Sequence, residues 1–391
     1  MSEPQTIALA HDYLIQMGGA ERVVASMVRR HPGSPLYTSA VRRETLLPEF
    51  ARADIRTSWM QRLPGIETQF KKYFALYPYG FRSFKAVTEP ALWVSASTFA
   101  KCLPFSPETA SVLYCHNPTR FLWLAGEEYV DKEVRFPWAN KIVRAMVPWL
   151  RDIDFHAAQG FDVIVANSEA VRKRIAQVYH RDSTVIHPPV EVDRFSPTRE
   201  HDGYYIVVSR LVAYKALERA VVACSMSGRR LMVVGEGPDR KRLEGLAGPT
   251  VTFAGWQSDA EVKMLMERSR GLIFPAVEDF GIAPVEAQAC GKPVIAFAGG
   301  GALETVIEGR TGCFFHRPTA DSTLEAIERA EKISWDTAFI RSNAERFCED
   351  HFHYLTNQAM ASAAALREER LARRRSEALP ELSLPGRRQL V

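Results

Sequence analysis

Residues 188–197 read Pro188-Pro189-Val190-Glu191-Val192-Asp193-Arg194-Phe195-Ser196-Pro197, and polar residues follow them. Three prolines within ten residues oppose both a helix and a central strand. The stretch reads as a linker, and the chain divides around it. Before it, short apolar, β-rich runs fall at 6–10, 91–96, 112–115, 162–166 and 184–187. After it they resume at 205–208, 231–235, 251–255, 272–275, 294–297 and 312–315. Helix-length segments such as 20–30, 169–179, 216–225 and 258–269 lie between them. This alternation predicts parallel strands joined by crossover helices. The expected fold class is α/β, with two doubly wound, Rossmann-like domains in tandem. In such sheets ligands bind beyond the carboxyl ends of the strands, so the cleft between two facing domains is the expected site. The expected limits are 1–190 and 191–349. A helix near 350–370 is expected to pack back onto the first domain, followed by a basic, flexible tail at 371–391.

Composition supports a folded chain of this size. The 391 residues are 46% hydrophobic and 25% charged, which excludes a disordered or fibrous protein. The net charge is only +4, which argues against a nucleic-acid partner. That total averages over an uneven distribution. Residues 55–88 carry six basic residues and one acidic residue, interleaved with Trp59, Phe70, Tyr73, Phe74, Tyr77, Tyr79, Phe81 and Phe84. Residues 367–391 hold seven Arg and four Glu. The longest run without Asp, Glu, Lys or Arg is 16 residues, 351–366, and it includes two His, an Asn and a Gln. A spanning helix needs about 20 mainly apolar residues. Met1-Ser2-Glu3-Pro4 has neither the basic nor the apolar region of a signal peptide. The six cysteines are scattered without a C-x-x-C pair, as in reduced cytosolic proteins. A soluble, cytoplasmic protein is expected.

Four constellations fall at predicted strand ends or helix starts. In His11-Asp12-Tyr13 followed by Gly18-Gly19-Ala20-Glu21-Arg22, two glycines entering a helix would let backbone N–H groups approach an anion. They would equally serve a turn that needs positive φ. In Ser209-Arg210-Leu211-Val212-Ala213-Tyr214-Lys215, two cations follow the first strand of the second half and could hold a diphosphate, or simply face solvent. In Glu278-Asp279-Phe280-Gly281-Ile282-Ala283-Pro284-Val285-Glu286, Pro284 suits a first helical turn, so two carboxylates flank a ring of free N–H donors. Helix capping alone would explain Glu286 but not Glu278. In Tyr114-Cys115-His116-Asn117-Pro118-Thr119-Arg120, a His stands at a strand terminus. Neither a G-x-G-x-x-G nor a Walker A motif occurs, since Arg240 replaces the third glycine after Gly235-Glu236-Gly237.

Taken together these residues resemble the retaining glycosyltransferases of the GT-B fold, family 4. The Glu278-x7-Glu286 block with Phe280-Gly281 inside carries the resemblance, with Gly18-Gly19, Ser209-Arg210-x4-Lys215, Val234-Gly235-Glu236-Gly237-Pro238 and Gly299-Gly300-Gly301-x2-Glu304 matching in order over roughly residues 5–320. The stretch His116-Asn117-Pro118-Thr119-Arg120-Phe121-Leu122-Trp123 resembles a narrower group of bacterial O-antigen and exopolysaccharide mannosyltransferases. The resemblance implies that Arg210 and Lys215 bind the donor diphosphate in place of a metal, with no metal or other cofactor expected. It also implies that Glu286 binds the ribose and Glu278 the donor sugar. The amides of Phe280, Gly281, Ile282 and Ala283 would hold sugar and phosphate oxygens, and His116 would lie near the anomeric carbon. Gly18 and Gly19 would approach the diphosphate from the opposite domain.

The implied reaction moves α-mannose from GDP-mannose to a lipid-linked oligosaccharide. Alternatives on the same fold are a UDP-sugar donor or a catalytically silent binding subunit. Family members that elongate lipid-linked sugars carry basic, aromatic surface in the first domain. Arg62, Lys71, Lys72 and Arg82 are therefore candidates for contact with an anionic membrane surface and the acceptor, placing the protein peripherally on the inner face of the membrane. A core helix pair with solvated charges would explain the same segment.

Overall fold

The computed structural model describes residues 7–124 and 137–378. The first sheet contains β1 (Ile7–His11), β2 (Pro35–Thr38), β3 (Asp54–Thr57), β4 (Ala91–Ala96), β5 (Ala110–Cys115), β6 (Val163–Ala166) and β7 (Thr184–Val185). Their spatial order is β3-β2-β1-β4-β5-β6-β7. The second sheet contains β8 (Tyr204–Val208), β9 (Arg230–Val234), β10 (Val251–Gly255), β11 (Gly271–Phe274), β12 (Val294–Phe297) and β13 (Gly312–Phe315), in the order β10-β9-β8-β11-β12-β13. Every strand pairing is parallel. Strand order reverses once in each sheet, between β1 and β4 and between β8 and β11.

The apolar runs become strands because both faces of the sheets are covered. Ala8, Ala10, Leu92, Val94 and Leu113 pack into one core of the first sheet. Leu9, Trp93, Val112 and Tyr114 point into the other, against Val23, Val24 and Met27 of the helix Gly19–Arg30. That second core also takes Phe352, Ala359 and Ala363 from the long helix Glu349–Ala378, so the chain's last described element packs on the first sheet. Arg367 of this helix donates to the carbonyls of Pro90 (3.3 Å) and Glu108 (3.1 Å). The helix continues eight residues into the segment expected to be a tail; from 379 onward that segment lies outside the described residues.

Two strands of the first sheet escape the sequence reading. β2 is four residues long and opens on Pro35, which is tolerated at a strand's first residue. β3 is a half-exposed edge whose Asp54 and Arg56 point to solvent, so it lacks an apolar signature. Beyond β3, residues 59–82 form short 3₁₀ and α turns. The aromatics of residues 55–88 divide: Tyr77 and Phe81 are buried, Phe70, Tyr73, Phe74 and Phe84 pack partly against the core, and Trp59 and Tyr79 remain exposed. Arg62, Lys71, Lys72 and Arg82 all lie on the exposed side.

A fully buried ion pair underlies the loop after β5. Lys101 Nζ stands 2.8 Å from Asp154 Oδ1, with neither side chain reaching solvent. Asp154 also accepts hydrogen bonds from Thr119 Oγ1, Trp123 Nε1 and Tyr179 Oη, so no charge or donor in the cluster is wasted. Asp154 thereby ties Thr119 and Trp123, at the two ends of the short helix Arg120–Trp123, to the helix Pro137–Gln159. Removing one partner of such a pair strands the other charge in a low-dielectric interior. Lys101→Met should lower stability by about 3–5 kcal/mol in urea unfolding.

Candidate active site

Two segments connect the domains, the linker at 188–197 and the return near 346–350, and they bond to each other through Val190 N–H and Phe347 O (2.9 Å). Between the domains lies a cleft of about 660 Å³. It sits where both strand-order reversals deliver their carboxyl ends, as the crevice rule for open parallel sheets requires. His11 ends β1, Ser95 lies near the end of β4, Arg210 follows β8 and the 275–281 loop follows β11. Gly18, Gly19, His116, Arg210, Lys215, Glu278, Phe280, Gly281, Ile282, Ala283 and Glu286 all line this cleft. Arg62, Lys71, Lys72 and Arg82 do not. Among the described residues no group of three or more His, Cys, Asp or Glu could hold a metal ion.

On the second domain, Lys215 and Glu278 form an ion pair, each side chain mostly enclosed. Arg210 donates to Tyr214 Oη (3.2 Å) and reaches Gln16 Oε1 across the cleft (3.4 Å). Glu278 sits on a loop that Gly301 supports, because the Gly301 N–H donates to Glu278 O at 2.9 Å. A β-carbon at Gly301 would lie 2.2 Å from Phe280 O and 2.3 Å from Phe280 Cα, so only glycine allows this approach. Phe280 turns its ring away into the hinge core, 5.3 Å from His187 and 5.5 Å from Phe347, leaving its backbone for the cleft. Glu286 is the fifth residue of the eight-residue helix Ile282–Ala289, further in than the sequence suggests because the helix already starts at Ile282, and it accepts from Arg194 Nη2 at 3.2 Å. Burial pushes its carboxyl up, against the pull of Arg22 and Arg194.

On the first domain, the amides of the glycine pair are not all open to a ligand. Gly18 N–H donates to Glu21 Oε2 at 2.9 Å, and Gly19 faces Ile282 so closely that a β-carbon would stand 3.1 Å from its Cδ1. A missing side chain at 19 therefore also serves the approach of the two domains. His116 is 8% exposed, and its Nε2 lies 2.8 Å from Ser95 Oγ. Ser95 Oγ lies 3.1 Å from His11 Nδ1, and His11 Nε2 lies 3.7 Å from Glu21 Oε1. The two imidazoles titrate in opposite senses. Burial pushes His116 down to about 3, with His11 adding to the effect, so His116 is neutral. Burial opposes the charged form of His11 as well, but Glu21 and Asp12 outweigh it and hold that imidazole above its usual range.

Several residues that build the site carry no local signal. Ser95, Arg194 and Asp259 stand far apart in sequence from their partners: Arg22 Nη2 meets Asp259 at 2.8 and 3.0 Å, and Arg194 Nη1 meets Asp259 Oδ2 at 3.1 Å. Asp279 accepts from Asn117, and Glu304 accepts from the Glu169 N–H (2.9 and 3.0 Å) and faces His187 Nε2 (2.9 Å). Each of these contacts joins the two domains or their linker. Only the fold could have brought them together.

With this geometry in place, comparison with known proteins is informative. Residues 190–347 match the family of glycosyl transferases group 1. The chain is 29% identical over 216 residues to the GDP-mannose-dependent alpha-(1-6)-phosphatidylinositol monomannoside mannosyltransferase of Mycolicibacterium smegmatis, an alignment covering 47% of this chain and 56% of that protein. The chain thus spans little more than half the length of that relative. It is 24% identical over 413 residues to the alpha-1,3/1,6-mannosyltransferase ALG2 of Saccharomyces cerevisiae, covering 87% of this chain and 78% of that one. In structure it resembles Anabaena Alr3699/HepE, crystallised with UDP, at a TM-score of 0.63 and 19% identity over 91% of this chain and all of the other. Two doubly wound domains facing across a cleft are the GT-B fold.

The opposed titration of the two imidazoles can be tested. The groups facing His11 are Glu21, Asp12, Tyr13, Ser95 and His116. Because its folded value is raised, the stabilisation is fully present below about pH 6.5 and is lost as pH rises through the folded value. His11→Gln should therefore destabilise the protein more at about pH 6 than at about pH 9 in urea unfolding.

Proposed function

We propose that this chain, whose residues 190–347 form a domain of the glycosyl transferases group 1 family, is a retaining glycosyltransferase that moves α-mannose from GDP-mannose to a lipid-linked oligosaccharide. One observation carries the reading: Lys215 and Glu278 neutralise each other in the wall of a cleft also lined by Arg210, Glu286 and His116. A sugar nucleotide supplies both partners that this pair lacks. Its diphosphate would take Lys215 and Arg210, and its sugar hydroxyls would take Glu278. Glu286 would hold the ribose.

The chemistry follows from the charges. The bond from C1 of the sugar to the phosphate oxygen breaks, and a bond from C1 to the acceptor oxygen forms on the same face. The acceptor's proton passes to the departing phosphate. Arg210 and Lys215 are aimed where negative charge grows, which is the most effective place for a fixed cation. His116 is neutral across the working pH range, so its role is hydrogen bonding beside the anomeric carbon rather than proton donation. Mannose as the sugar, GDP as the carrier and lipid as the acceptor rest on the resemblance and on the relatives' names. The basic, exposed side of residues 59–82 supports an anionic membrane surface as the place of the acceptor. No helix among the described residues is long and apolar enough to cross a membrane.

Three measurements test this. GDP at 100 times its Kd should stabilise the protein by about 2.7 kcal/mol, with UDP and ADP doing less at equal concentration; a larger UDP response would overturn the guanosine assignment. Glu278→Ala should abolish sugar transfer in a mass-spectrometric product assay, and retained transfer would remove Glu278 from the site. The double variant Lys71→Glu, Lys72→Glu should sediment less with anionic liposomes, whereas unchanged sedimentation would end the membrane reading.

A further inference from the structure

Glu278 and Asp279 are adjacent carboxylates that face different domains. Glu278 pairs with Lys215 of its own domain, while Asp279 reaches across to Asn117, Arg120 and Arg174 of the first domain. Asn117 Nδ2 donates to Asp279 Oδ2 at 2.7 Å, Arg174 Nη1 donates to Oδ1, and Arg120 Nη1 lies 3.6 Å from Oδ2. Asn117 comes from the loop after β5, immediately beside His116; Arg120 opens the short helix Arg120–Trp123 that follows that loop, and Arg174 comes from the helix Glu169–Tyr179. A single side chain thus joins the loop that presents Glu278 to the loop that presents His116.

Enclosure separates this junction from the other rim of the cleft. The Asp279 side chain is 16% exposed, while Asp259, which joins Arg22 and Arg194 on the opposite side, is 52% exposed. Less solvent means weaker screening, so the Asp279 junction attracts the two domains more strongly than the Asp259 junction does. Its chemistry also orients Asn117. A carboxylate only accepts hydrogen bonds, so Asn117 must offer its NH₂ there and turn Oδ1 the other way. Asn117 is 2% exposed, and that Oδ1 is buried without a hydrogen-bond partner. Leaving an acceptor unpaired is unfavourable, and the Asp279 contact holds it so.

We propose that Asp279 is a positioning residue for the transfer reaction: it latches the two domains shut and sets the His116–Asn117 loop opposite Glu278. The inference rests on the glycosyltransferase reading only for its kinetic consequence, since the latch itself is a property of the free protein. On this proposal the latch biases the domains toward the closed arrangement, and transfer needs both loops together. If the latch is lost and the closed fraction drops to about a tenth, kcat falls about tenfold while nucleotide binding to the second domain is retained.

The test uses Asp279→Asn, Asp279→Glu and, away from the cleft lining, Arg174→Gln. Small-angle X-ray scattering of the unliganded proteins should show Asp279→Asn and Arg174→Gln more extended than the parent, with Asp279→Glu restoring part of the compaction. Thermal shift with GDP alone should give parent-like affinity for both neutral variants, and transfer assays should show the loss in kcat. Parent-like scattering for both variants would overturn the latch, as would a loss of GDP affinity matching the loss of kcat, which would make Asp279 a donor ligand. Should Asp279→Asn fail to fold, Arg174→Gln alone decides by the same readouts. A parent protein that transfers no sugar would defeat the proposed function and leave the scattering result to judge the latch.

Discussion

A parallel sheet buried on both faces can present polar chemistry only where its strands stop. Within β1, β4 and β5 nearly every side chain meets another apolar group, and the cores on either side leave no room for solvent. Polar groups are admitted at the carboxyl ends, where the crossover to the next helix exposes backbone N–H groups and a few side chains. The reversal of strand order opens a crevice wide enough for a ligand there. Because both sheets reverse once, and face each other, their two crevices combine into one cleft. The position of every site residue follows from this constraint.

The second consequence is electrostatic. Gathering so many charged groups at the mouth of two apolar cores is unfavourable unless each is neutralised. The free protein meets that demand internally. Lys215 pairs with Glu278, Arg194 bridges Glu286 and Asp259, and His11 lies against Glu21. Of the groups that the proposed function assigns to the donor, Lys215 and Glu278 are therefore engaged with each other beforehand, and Glu286 with Arg194. A ligand must replace these pairs rather than enter an empty field, which favours one that carries both anionic oxygens and hydroxyls. A simple anion would satisfy Lys215 but leave Glu278 unpaired.

How much of this was legible in the sequence depends on whether the signal was local. The buried strands were, because a continuous apolar run between turn residues has few other readings; β4, β10, β12 and β13 have the limits expected of them. The helix expected at 216–225 starts two residues later, at Glu218, because Ala213–Lys215 first makes a 3₁₀ turn and Ala216 takes a left-handed φ of 51°. β2 and β3 were missed because their stability comes from neighbours rather than from their own residues. The site divides in the same way. Glu278, Glu286, Arg210 and Lys215 lie in short motifs and could be named in advance. Ser95, Arg194, Asp259 and Arg174 could not, since their partners are supplied by tertiary structure across 21 to 237 residues.

The aromatic and basic segment illustrates the limit of reading by composition. Its sequence allowed either a core element or a membrane-facing surface, and the structure divides the residues between both. Tyr77 and Phe81 enter the core, whereas Lys72, Arg82 and Tyr79 stay outside. The inward side is not isolated from the chemistry. Tyr13, which lines the cleft, has its ring 4.8 Å from that of Phe70 and 6.2 Å from that of Tyr77. A surface held by Lys71 and Lys72 would then lie one aromatic contact from the cleft wall. On the proposed reading, an acceptor with its lipid in the membrane needs only a short path to the donor, and the packing of Phe70 on Tyr13 sets where that path begins.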